Sequence, residues 1–225
     1  MVARPHGMGK VRGSSPLGST MSERKAIMVP GIGPAVAGTA YKLASGLFGA
    51  DGVQVSYFDQ ADWKGKKIGF EEVRKRFYDS IDKLYGGHDK VNLIGISAGG
   101  PLTLGAMTDL DDMVGKVATY AGCNQPMNED NRKKYEVLYK ENPNFHQMID
   151  GLGEVLVRLT PEQLKRVLTL MAKGDTVVPH SSQTVEGAKK IEIPRNWDHL
   201  PAIAFALITM RKEVTEFFKE GDTVK

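Results

Sequence analysis

The apolar residues of this 225-residue chain follow two rhythms that alternate along its length. Short runs rich in β-branched and aliphatic side chains read as buried strands. They fall at 25–30 (KAIMVP), 53–58 (VQVSYF), 91–96 (VNLIGI), 116–121 (KVATYA), 167–172 (VLTLMA) and 190–193 (KIEI). Between them the period lengthens to that of a helix. Pro34 suits a first helical turn and leads into AVAGTAYKLASGLFG. Over 69–87, Phe70, Val73, Phe77, Ile81 and Leu84 recur on one face, and Gly86-Gly87 ends the pattern. PLTLGAMTDL follows the third strand as a helix, and Ile203, Leu207, Met210, Val214 and Phe217 align along a closing helix over 201–219.

The stretch 124–166 differs in character. It starts polar and charged (NQPMNEDNRKK), then shows helical spacing in Met148, Leu152, Val155 and Leu159. A capping-box pattern follows at Thr160-Pro161-Glu162-Gln163. This is more chain than one crossover helix requires. Strands that alternate with helices predict an α/β fold, a three-layer sandwich with about six mostly parallel strands. Residues 21–225 are expected to form a single domain, with 124–165 inserted after the fourth strand as a short helical cap. There are no internal repeats.

Charge refines this picture by subtraction. The formal net charge of +3 comes entirely from residues 1–20, where Arg4, Lys10 and Arg12 stand without an acid; the remainder holds 27 basic and 27 acidic residues. No basic surface argues for nucleic acid. The first stretch lacks the apolar centre of a secretory signal and reads as a leader added for expression or a disordered tail, with Met21 as a plausible start. No apolar segment approaches the roughly 20 residues that span a bilayer. The one cysteine, Cys123, rules out an internal disulfide and fits a reducing compartment. These features together predict a cytoplasmic location without an integral membrane segment.

Chemistry concentrates past the carboxyl ends of the strands, where parallel sheets collect function. The third strand runs into Gly95-Ile96-Ser97-Ala98-Gly99, a G-x-S-x-G turn that lifts a serine hydroxyl above the sheet. A serine needs a base, and the base needs an orienting partner. Asp175 follows Ser97 by 78 residues and His199 follows Asp175 by 24, each just past a predicted strand. Simpler readings exist for each: a helix-capping serine, an aspartate in a Gly-Asp turn, a surface histidine. Asp198 reads as the cap of the last helix rather than as the acid. His180, only five residues past Asp175, is the rival base; His88 and His146 read as exposed, and Cys123 as a small buried thiol.

The motifs VPGIG (29–33), IGISAGG (94–100), KGDTVVP (173–179) and WDHL (197–200) resemble those of small serine esterases and lipases of the α/β-hydrolase superfamily over about residues 24–220. The resemblance implies a triad of Ser97, Asp175 and His199. It also implies an oxyanion hole from the backbone N–H groups of Ile32 and Ala98, although Pro30-Gly31 stands where many relatives have His-Gly. It implies acyl transfer on a small-molecule ester with neither cofactor nor metal, with thioesters and amides open to the same residues. Phe145, Met148, Leu152, Leu156 and Val177 are candidates for the substrate pocket. Two other classes stand beside this reading. One is a nucleotide-binding oxidoreductase built on the Gly31–Gly33 loop and Asp59, although its third glycine falls at Val36. The other is the same fold used for binding alone.

Overall fold

In the computed structural model, which describes residues 24–33, 37–126 and 136–220, six strands form one sheet. They are β1 (Arg24–Val29), β2 (Val53–Tyr57), β3 (Val91–Ile96), β4 (Val114–Tyr120), β5 (Val167–Met171) and β6 (Lys189–Glu192). Every neighbouring pair is parallel, in the order β2-β1-β3-β4-β5-β6. The helices are α1 (Ala37–Ala50), α2 (Phe70–Tyr85), α3 (Gly99–Asp109), α4 (Glu136–Glu141), α5 (Pro143–Arg158), α6 (Pro161–Leu164), α7 (His199–Thr209) and α8 (Arg211–Lys219). The expected leader at 1–20, the start at Met21 and the helical turn at Pro34 lie outside the described residues.

Side chains of a strand alternate between faces, and that alternation builds two cores. Val91 and Leu93 of β3 join Ile27 and Val29 of β1 and Val117 of β4 beneath α2, α3 and α5. Ile94 and Ile96 join Met28, Tyr120 and Leu170 on the opposite face, beneath α1, α7 and α8. Each large aliphatic or aromatic side chain so buried contributes about 1.5–3 kcal/mol. The chain leaves β1 for β2 at the edge, then returns to the far side of β1 for β3. The loops after β1 and β3 therefore diverge in opposite directions and leave a crevice at the carboxyl ends.

The predicted elements stand with two differences. The capping box is present, Thr160 Oγ1 accepting from Gln163 N at 3.2 Å and Gln163 Oε1 accepting from Thr160 N at 2.9 Å, but it opens only the short α6. The single helix expected over 201–219 is two. Asp198 caps α7 at His199, before the proline, and the run breaks at Met210, where φ is −102° and ψ 12°. The break lets α8 reorient so that Val214, Phe217 and Phe218 meet the sheet.

Candidate active site

β3 is buried along its whole length and runs directly into Ser97, whose φ of 50° lies in the left-handed region that residues other than glycine avoid. The glycines around it are set by close approach. A Cβ on Gly95 would lie 2.7 Å from Gly100 Cα, and one on Gly99 would lie 2.4 Å from the carbonyl oxygen of Val29. With both absent, α3 starts directly over the strand. Ser97 N donates to Tyr120 O at 3.0 Å, and Ser97 O accepts from Gly100 N and Cys123 N. The tight turn is thus bonded to β4 and to the loop after it.

The three expected residues meet above the sheet. His199 Nε2 is 2.9 Å from Ser97 Oγ, and His199 Nδ1 is 2.6 Å from Asp175 Oδ2. A carboxylate only accepts, so the imidazole carries its hydrogen on Nδ1 and Nε2 accepts the serine O–H. The Asp175 side chain has no exposed surface. Its Oδ1 accepts from the N–H groups of Val177 and Val178, both at 2.8 Å, which locks the carboxylate in its own loop. Gln183, buried in the turn after that loop, braces it. Its Nε2 donates to Val178 O at 2.8 Å and to Asp175 Oδ2 at 3.3 Å, while its Oε1 accepts from Ala172 N at 2.6 Å. Sequence reasoning missed Gln183 because HSSQ carries neither periodicity nor a motif. Asp198 is the cap it was expected to be: Oδ1 accepts from His199 N at 2.8 Å and Thr176 N at 2.9 Å, and these bonds lower its carboxyl pKa.

The loop after β1 lies on the serine. A Cβ on Gly31 would come 2.8 Å from Ser97 Cβ and 3.3 Å from Oγ. Among the described residues, neither the Ile32 nor the Ala98 backbone N–H is spent on an intramolecular hydrogen bond. His180 stands apart from this group, with Nε2 3.7 Å from Glu192, and His146 lies 3.3 Å from Asp150. Cys123 is buried, and burial, with the nearby Asp175 charge, pushes its thiol up to about 12. It is an inert neighbour rather than a second nucleophile.

Of the five pocket candidates, Phe145, Met148 and Leu152 are buried in the core with Ala98, Leu102 and Cys123. Leu156 is half-buried against that core, and Val177 is exposed. Leu200, next to His199, is a second exposed apolar residue here, one without a periodic or motif signal in the sequence. Among the described residues no cluster of His, Cys, Asp and Glu fits a metal ion, and no helix is long and apolar enough to cross a membrane.

No family model matches the chain, and no curated protein matches it in sequence. Solved structures do. A structure from the metagenome-derived lipolytic enzymes LipS and LipT is 14% identical, with a TM-score of 0.63 over 88% of this chain and 94% of that one. The monoacylglycerol lipase of Paleococcus ferrophilus is 17% identical, with a TM-score of 0.58 over 86% and 93%. Est1E from Butyrivibrio proteoclasticus, with ferulic acid bound, is 14% identical, with a TM-score of 0.65 over 88% of each chain. At such identities the likeness speaks for architecture alone, and it agrees with the parallel six-stranded sheet flanked by helices: the chain has the α/β-hydrolase fold.

Proposed function

We propose that this protein is a serine hydrolase that cleaves carboxylic esters by acyl transfer through Ser97. The observation that carries the reading is the unbroken relay from Ser97 Oγ through His199 to Asp175, at 2.9 and 2.6 Å, on a serine held at φ 50°. His199 Nε2 takes the hydroxyl proton as Oγ attacks the acyl carbon, and the carbonyl π electrons move onto oxygen. The backbone N–H groups of Ile32 and Ala98 stabilise that oxyanion, and losing one such donor costs roughly 10²–10³ in turnover. The imidazolium returns its proton to the departing alkoxide, which leaves an acyl-Ser97. Water, deprotonated by His199, then releases the acid. Asp175 holds the imidazole in the one tautomer that serves both steps.

Val177 beside Asp175 and Leu200 beside His199 form an apolar rim that meets the substrate. Two of the structurally similar proteins are named lipolytic enzymes or a lipase, which supports an ester over other acyl compounds. The close packing of the Gly31 backbone on Ser97 favours a part in the serine's site over a dinucleotide-binding turn. The test is hydrolysis of 4-nitrophenyl butyrate. Ser97→Ala is expected to lower kcat by roughly 10⁴ or more while the fold is kept. A Ser97→Ala protein as active as the parent would refute the reading.

A further inference from the structure

Between β2 and α2 the chain reads Ala61-Asp62-Trp63-Lys64-Gly65-Lys66-Lys67-Ile68, three lysines in four positions. This loop is tied at both ends. Asp62 Oδ2 accepts from Lys67 N at 2.7 Å and Ile68 N at 3.2 Å, closing the loop on itself. Asn144 of α5 donates through Nδ2 to the carbonyls of Asp62, at 2.6 Å, and Ile68, at 2.8 Å. Trp63 is buried beneath, in the core shared with Ala98.

The three lysines remain exposed, and none pairs with an acid among the described residues, whereas Lys75, Lys140, Lys165, Lys189 and Lys219 each do. Like charges crowded on a tethered loop repel one another, and nothing in the packing requires cations there. The loop lines a cavity of about 360 Å³ together with Pro30, Gly31 and Ile32, the segment that lies on Ser97. Two acids also line the cavity. Asp62 keeps its charge while it accepts from the loop's own N–H groups, so three cations stand against two carboxylates and the lining is net positive. Trp63 and Asn142 are also in the lining, beside Tyr41 and Tyr57; Trp63 and Asn142 are buried, and Trp63 Nε1 and Asn142 Oδ1 have no hydrogen-bond partner among the described residues.

We infer that the ester cleaved at Ser97 carries an anionic group, a carboxylate or a phosphate, held in this cavity by Lys64, Lys66 and Lys67. The inference rests on the acyl-transfer reading and names its substrate class. The anion fixes one end of the substrate while the scissile carbonyl lies on the far side of Gly31-Ile32, between the oxyanion donors and Ser97 Oγ.

Two matched pairs of esters test this. Mono-4-nitrophenyl adipate and 4-nitrophenyl hexanoate differ in a terminal carboxylate on the acyl side. 1-Butyrylglycerol 3-phosphate and 1-butyrylglycerol differ in a phosphate on the alcohol side. The expected result is a preference in kcat/KM of about tenfold or more for the anionic member of one pair at low salt. In about 0.5 M NaCl, where the screening length is roughly 4 Å, the preference shrinks. It falls to within about twofold in the triple variant Lys64→Gln, Lys66→Gln, Lys67→Gln, which removes the cations that would hold the anion.

Equal rates within both pairs, or a preference that survives the triple substitution, would overturn the inference. Trp63 emission, isolated by Trp197→Phe, gives a second readout with adipate and with glycerol 3-phosphate as titrants. A Trp63 response from a protein that cleaves none of the four esters would keep the anion site and sink the hydrolase reading. Cleavage of the neutral esters with neither preference nor response would do the reverse.

Discussion

Ser97 holds a backbone angle that side chains avoid, and its neighbours show how that strain is maintained. Gly99 sits so close to β1 that a methyl group would fall 2.4 Å from the carbonyl oxygen of Val29, an atom fixed in the sheet. Gly99→Ala is therefore expected to lower stability by about 2–3 kcal/mol, read as a reduced urea midpoint at unchanged slope, and to reduce esterase activity as the turn shifts. An unaltered midpoint would mean that α3 can move away freely. The need for Gly95 and Gly99 was legible in the sequence, since a serine set between two glycines straight after a strand marks a bend too tight for side chains on either side. The close approach of Gly31 was not, because it depends on where a separate strand brings its loop. Gln183 was hidden for the same reason: a buried amide that bridges Ala172, Asp175 and Val178 announces itself only when those three are adjacent.

At the scale of elements, α5 is fastened to the rest of the molecule by more than its apolar face. Asp109, the last residue of α3, accepts from Tyr78 of α2 at 2.6 Å and from Arg158, the last residue of α5. Burial lifts the Asp109 carboxyl, but the Tyr78 hydrogen bond and then Arg158 outweigh it and hold the group below the usual carboxylate range. A carboxyl depressed in the folded state stabilises above its unfolded pKa and loses that contribution as the pH falls through the folded value. Asp109→Asn is expected to cost about 1–2 kcal/mol at neutral pH, a difference that narrows on acidification below about pH 4. A difference constant with pH would show that the carboxylate's charge plays no part. Periodicity located α2 well, because Val73, Phe77 and Ile81 are all buried. It merged α7 and α8, because their apolar positions stay in phase across Met210 although the helix does not. The short α4 escaped notice, lying in a charged stretch without a helical stripe of its own.

The whole molecule is a sheet with a core on each face, and each core holds one tryptophan. Trp63 is buried among the side chains under α2, α3 and α5, and Trp197 packs edge-on to Phe205, 4.7 Å between ring centres, on the other face. If both faces fold as one unit, Trp63→Phe and Trp197→Phe proteins will each show a single urea transition that coincides with its own far-ultraviolet circular dichroism. Fluorescence and dichroism midpoints that separate would divide the molecule into independent layers. The alternation of strand and helix made the layered architecture legible, and the order of Ser97, Asp175 and His199 anticipated which loops would meet. The cavity beside Trp63 was beyond reach, since three lysines within four positions read as solvated surface until the loop after β1 is seen to share a cavity with them. All of this turns on Ser97 being a nucleophile, and labelling with a fluorophosphonate tests that most directly. The account predicts one adduct per chain, mapped to the peptide containing Ser97 and lost in both Ser97→Ala and His199→Ala; a folded parent protein that takes up no label, or takes it up at another residue, would contradict it.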